Sequence, residues 1–100
     1  MKILKVSTKD PQDFYDAIQE KIVDRSIASW ELDDSNKFLS HKGSQYRDHF
    51  YFEYQINKPK GLAEFVFHSS GTSSFADSRA FQLLESMLTR HFEDEIELIK

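Results

Sequence analysis

The chain changes its hydrophobic period twice, and the two changes divide it into elements. Phe14, Ile18 and Ile22 recur at a spacing of four, with Ala17 and Val23 beside them. That spacing lines one side of a helix. Asp10 ahead of it offers a carboxylate to the first free backbone amides, Pro11 suits the first helical position, and Asp13 favours the positive end of the helix dipole. A helix is expected over residues 11–27, preceded by a short strand over residues 2–7.

From Ser29 the period becomes two. Trp30 and Leu32 alternate with Glu31 and Asp33, and Asp34-Ser35-Asn36 reads as a turn. Residues 38–42 form the next strand, Gly43-Ser44 a second turn, and residues 45–56 the longest strand, with Phe50, Phe52, Tyr54 and Ile56 on one side. Residues 57–61 make a third turn and residues 62–69 the strand after it. A second helix is expected over residues 75–92, with Ser74 and Asp77 as a capping box. Its apolar stripe is Ala80, Phe81, Leu84, Met87, Leu88 and His91. Residues 95–99 read as a last short strand. The order is β-α-β-β-β-β-α-β. It implies a single α+β domain, with a largely antiparallel meander sheet and two helices on one face. One terminal strand is expected to add in parallel through a right-handed crossover.

The turns propose a register. A Gly43-Ser44 loop of type II′ sets His41 opposite Tyr46, Leu39 opposite Asp48 and Phe38 opposite His49. A loop centred on Ser35-Asn36 sets Leu32 opposite Leu39, Trp30 opposite His41 and Asp33 opposite Phe38. In the third hairpin Phe65 and Phe67 must share a face with Phe50 and Phe52, because a one-residue slip turns every side chain over. Two even loops satisfy this. One faces Tyr51 with Val66 and His49 with His68; the other faces Tyr51 with His68 and Glu53 with Val66.

Under either choice the helix-free face carries Glu31, Asp33, Phe38, Ser40, Arg47, His49, Tyr51, Glu53, Glu64, Val66 and His68. An uncovered sheet face is ordinarily polar. This one holds an aromatic row within a charged rim, the composition of a protein interface. The candidate binding surface is therefore Phe38, Arg47, His49, Tyr51, Glu53, Val66 and His68.

Composition narrows the chemistry. The 100 residues suit one domain, and the absence of cysteine removes disulfides, thiolate nucleophiles and cysteine zinc sites. With no signal-peptide core or spanning segment either, a cytoplasmic, non-membrane protein is expected. The net charge of -4, from 17 acidic and 13 basic residues, argues against a nucleic-acid partner, since Arg47 stands nearly alone on the aromatic face. A metal at His49 and His68 lacks a third ligand within reach, and no nucleophile with an oriented base can be assembled, so no metal, cofactor or catalytic residue is assigned. Ser69 to Ser74 lacks the lysine and spaced glycines of a phosphate loop and reads as a polar connection. The acidic run at Glu93, Asp94, Glu95 and Glu97 reads as a solvated edge. The expectation is a non-enzymatic module that binds a protein partner or itself through the open sheet face. A small-ligand or metal site around His49, His68 and Tyr51 is the alternative.

Overall fold

The computed structural model describes residues 2–33, 35 and 37–99. Six strands and two helices follow the expected order: β1 (Ile3–Thr8), α1 (Pro11–Val23), β2 (Trp30–Leu32), β3 (Phe38–His41), β4 (Phe50–Asn57), β5 (Leu62–Ser69), α2 (Ser74–Phe92) and β6 (Ile96–Ile99). A 3-10 turn at Lys58–Lys60 joins β4 to β5. The strands form one sheet in the order β2-β3-β4-β5-β1-β6.

Every described pairing is antiparallel, so the parallel terminal strand is corrected. β1 inserts between β5 and β6 and runs against both. The helical crossovers do return the chain in a parallel sense, from β1 to β2 and from β5 to β6. In each case other strands lie between the two ends, so the crossover never closes a parallel ladder.

Both helices bury their apolar stripes on one face. Phe14 meets Phe65 edge-on at 6.4 Å and Phe92 at 5.0 Å. Tyr15 stacks on Tyr54 at 3.9 Å, and the Tyr54 hydroxyl donates to the Pro11 carbonyl at 2.6 Å. From α2, Phe81 lies against Phe52 and Phe67. Trp30, Leu39, Phe52 and Phe65 are sealed from solvent. Among the described residues no polar or charged residue is buried as a whole, and Asp77 Oδ1 is a buried polar side-chain atom without a hydrogen-bond partner.

Four local expectations change. α1 stops at Val23 rather than 27: Asp24 ends it, Arg25 takes a left-handed φ of 69°, and the turn carries Ile27 back into the core at 2% exposure. Val23, expected beside the stripe, is 82% exposed. α2 is capped by Ser73, whose hydroxyl accepts from the Ala76 amide at 3.1 Å, one residue before the expected Ser74. Its stripe ends on Phe92, four residues after Leu88, with His91 half-buried beside it.

The largest change is the connection from β3 to β4. Residues 45–49, expected as strand, are turn. The Tyr46 and Arg47 amides both donate to the Gly43 carbonyl, His49 donates to Tyr46, and Asp48 adopts a φ of 65°. A type II′ turn needs a positive φ at Gly43, and Gly43 has none. Its small size serves the neighbouring ring instead: a Cβ there would stand 3.0 Å from His41, whose Nδ1 accepts the Gly43 amide. The ladder consequently pairs Leu39 with Phe52 and Phe38 with Glu53, in place of Asp48 and His49. The slip is four residues, an even number, so no side chain changes face.

Candidate functional site

The helix-free face is built by register. Ile3 pairs with Val66, Val66 with Glu53, and Glu53 with Phe38, so one straight row crosses β1, β5, β4 and β3. The next row sets Tyr51 opposite His68. This is the second of the two hairpin registers, and it fixes Lys58 to Gly61 as the loop, with Gly61 at a φ of 65°. Lys5 extends the face toward the far edge, where it pairs with Glu64 and with Ile99.

The rings form a continuous group. Phe38 meets Tyr51 edge-on at 5.2 Å, and Tyr51 stacks on His68 at 4.8 Å with an interplanar angle of 12°. Val66, between Ile3 and Glu53 in the register, is 3% exposed although no helix covers this side. Three of the large hydrophobics left exposed, Ile3, Tyr51 and Ile99, stand on this face. Ile3 and Tyr51, each 38% exposed, and Ile99, 42% exposed, leave apolar surface open on this side.

Charge is tied down within the row and around it. One oxygen of Glu53 meets His68 Nε2 at 3.2 Å, and the other meets Lys37 Nζ at 3.6 Å. Arg47 reaches Glu31 at 3.9 Å, which brings it to the β2 edge although it sits in the turn before β4. At the same edge Asp33 accepts from the amides of Lys37 and Phe38, both at 2.9 Å, and from the Ser35 hydroxyl at 2.5 Å. The Ser35 hydroxyl most of all, with these amides, holds the Asp33 carboxyl down at about 2. The turn read at Asp34-Ser35-Asn36 has Asp34 and Asn36 outside the described residues. The ladder beside it pairs Leu32 with Leu39 and Trp30 with His41, as expected.

Of the candidate surface residues, Phe38, Tyr51, Glu53, Val66 and His68 come together. Arg47 joins through its ion pair. His49 does not: it lies in the turn, its Nδ1 2.6 Å from Thr72 Oγ1, and Ser70 donates to the His49 carbonyl at 2.8 Å. The adjacent His49–His68 pair is therefore absent. Among the described residues no three histidine or carboxylate side chains gather in a way that could hold a metal.

The His49–Thr72 pair was not legible in the sequence, because it joins a turn to the connection between β5 and α2 across 23 residues. It is an imidazole–hydroxyl contact on the surface, with no carboxylate seen orienting the ring among the described residues. Two serines of that connection are used within it and the helix it leads into. Ser69 donates to Asp77 at 2.5 Å and accepts from the Gly71 amide, and Ser73 caps α2. Asp77 places a negative charge in the first helical turn, which weakens any claim of that N-terminus on an anion.

No family model, no curated protein and no solved structure matches this chain. No described helix is long and apolar enough to cross a membrane.

Proposed function

We propose that this chain is a small non-enzymatic module that binds a protein surface, in the first instance a second copy of itself, through the helix-free sheet face. The observation that carries the reading is the Ile3–Val66–Glu53–Phe38 row with the Tyr51–His68 stack beside it. Ile3, Val66, Phe38 and Tyr51 lie at its centre around one paired carboxylate, Glu53, and Glu31, Arg47, Lys37 and Lys5 stand at its margin. This is the core-and-rim division of a protein interface.

The size of the face sets the expected strength. Six strands give five spacings of about 4.8 Å, and strands of about 20 Å make the projected area roughly 500 Å². A standard interface covers about 800 Å² per partner. Association through this face is accordingly weak and concentration-dependent.

Light scattering across a concentration series tests the reading. The wild-type mass should rise toward twice the monomer. A Phe38→Ser, Tyr51→Ser double variant with an unchanged circular dichroism spectrum should remain monomeric. A wild type that stays monomeric throughout removes self-association, and a variant that associates like the wild type removes the face.

A second reading, a small-ligand or weakly catalytic site at His49, His68 and Tyr51, draws support from the Tyr51–His68 stack and the Glu53 contact to His68. The displacement of His49 toward Thr72 counts against it. Calorimetric titration with zinc, nickel and common anions checks it; an absence of heat removes it.

A further inference from the structure

On the opposite side of the molecule, segment 26–29, His41 of β3 and the C-terminal half of α2 enclose an open cleft of about 290 Å³. Its floor is apolar: Ile27, Trp30 and Met87 are buried beneath it. Ser26, Ser29, Ser86, Arg90, His41 and His91 also line it. Among the described residues no carboxylate lines it, in a chain with 17 acidic residues, although Asp24 Oδ1 accepts from the amide of the wall residue Ser26 at 2.8 Å. The cleft against α1 differs in this respect, with Asp10, Asp13, Asp94 and Glu95 in its wall.

We propose that this cleft binds a small organic anion, an oxyanion head on a short apolar body, with Arg90 as its charge partner. Arg90 is exposed and has no ion-pair partner among the described residues. Its planar fork matches a carboxylate or phosphate. The His41 ring supplies a donor of fixed sense. Its Nδ1 accepts from the Gly43 amide at 2.9 Å, so the neutral ring carries its proton on Nε2. Burial lowers the His41 pKa, which keeps the ring neutral. The His91 pKa is lowered first by burial and then by the positive charges of Lys21 and Arg90. Carboxylates flank the cleft: Glu85 shares one adjoining cleft with Ser86 and Arg90, and Glu93, Asp94 and Glu95 border another with Arg90 and His91. The volume lies at the lower end for ligand pockets, which restricts the body of the ligand to a few carbons beyond its head.

Trp30 is the chain's single tryptophan and lines this cleft, so its selectively excited fluorescence is a local probe of it. The full chain is titrated with butyrate and with butyl phosphate, and in parallel with butylamine and butyramide at matched ionic strength. A saturable change with at least one of the two anions and none with the amine or amide is expected. Arg90→Gln should weaken that binding roughly tenfold or more, as for loss of a charge-assisted contact, while Arg90→Lys retains part of it. Unchanged thermal melting of both variants separates this loss from unfolding. The proposal is overturned by no saturation below about 10 mM with either anion, by equal binding of the amine or amide, or by an Arg90→Gln variant that binds like the wild type.

Discussion

Tyr51 and His68 stand directly opposite one another on β4 and β5, with their rings stacked 4.8 Å apart on the side of the sheet that no helix covers. Two flat side chains in register on an open face stabilise the hairpin without needing the core. A double-mutant cycle with Tyr51→Ala and His68→Ala should return a coupling of about 0.5–1 kcal/mol by urea denaturation. A coupling near zero would mean that the stack contributes nothing to the folded state in solution. Tyr51 is 38% exposed, so the single Tyr51→Ala change should be mild.

The true cap of α2 separates two adjacent serines. Ser73 Oγ accepts from the Ala76 amide, while Ser74 already belongs to the helix. Ser73→Ala should cost about 1 kcal/mol, and Ser74→Ala should be close to neutral because alanine is the better helix former. Urea midpoints of the two variants decide the matter, and the reverse order would move the helix start by one residue.

The faces were legible because parity is robust. Phe50, Phe52, Tyr54, Phe65 and Phe67 alternate so regularly that any even slip keeps them on one side, and the slip of four between β3 and β4 did so. The first hairpin was legible from its turn: a loop centred on Ser35-Asn36 sets Trp30 opposite His41 and Leu32 opposite Leu39, as the ladder has them. The turn before β4 was not legible. Gly43 signals a hairpin by type, but here its missing Cβ makes room for the His41 ring, a contact that local pattern does not encode. His49 was misplaced with it. The position of β1 between β5 and β6 is equally non-local: Leu4 and Val6 announce a strand, but nothing in them names its neighbours. The polar cleft at Arg90 escaped because its walls come from three separate parts of the chain.

Phe65 occupies the middle of the helix-covered face, sealed from solvent, with Phe14 at 6.4 Å and Tyr54 at 5.1 Å. Phe65→Ala leaves a cavity between α1 and two strands, at a cost of about 3–5 kcal/mol. Against a typical total of roughly 5–15 kcal/mol, that brings a domain of this size near the limit of folding. Calorimetry should show a melting temperature lower by tens of degrees or no cooperative transition. A drop of only a few degrees would place Phe65 outside the main core.

Asp33 links acid stability to the β2–β3 turn. Its carboxylate gathers the Ser35 hydroxyl and the amides of Lys37 and Phe38, and the folded chain holds it at about 2. The unfolded value is about 3.9, so the folded state favours the ionised form. The contribution is therefore complete above the unfolded value and is lost as the pH falls through the folded one. Asp33 is exposed, and solvent screening keeps the effect below what the displacement alone would give. Asp33→Ala should cost about 1 kcal/mol at neutral pH, comparable to loss of a helix cap. Urea denaturation of wild type and variant at a series of pH values should show a constant gap down to about pH 5 that narrows between about pH 4 and 2. A gap that stays constant to the acid end would show that Asp33 acts through its shape in the turn and not through its charge.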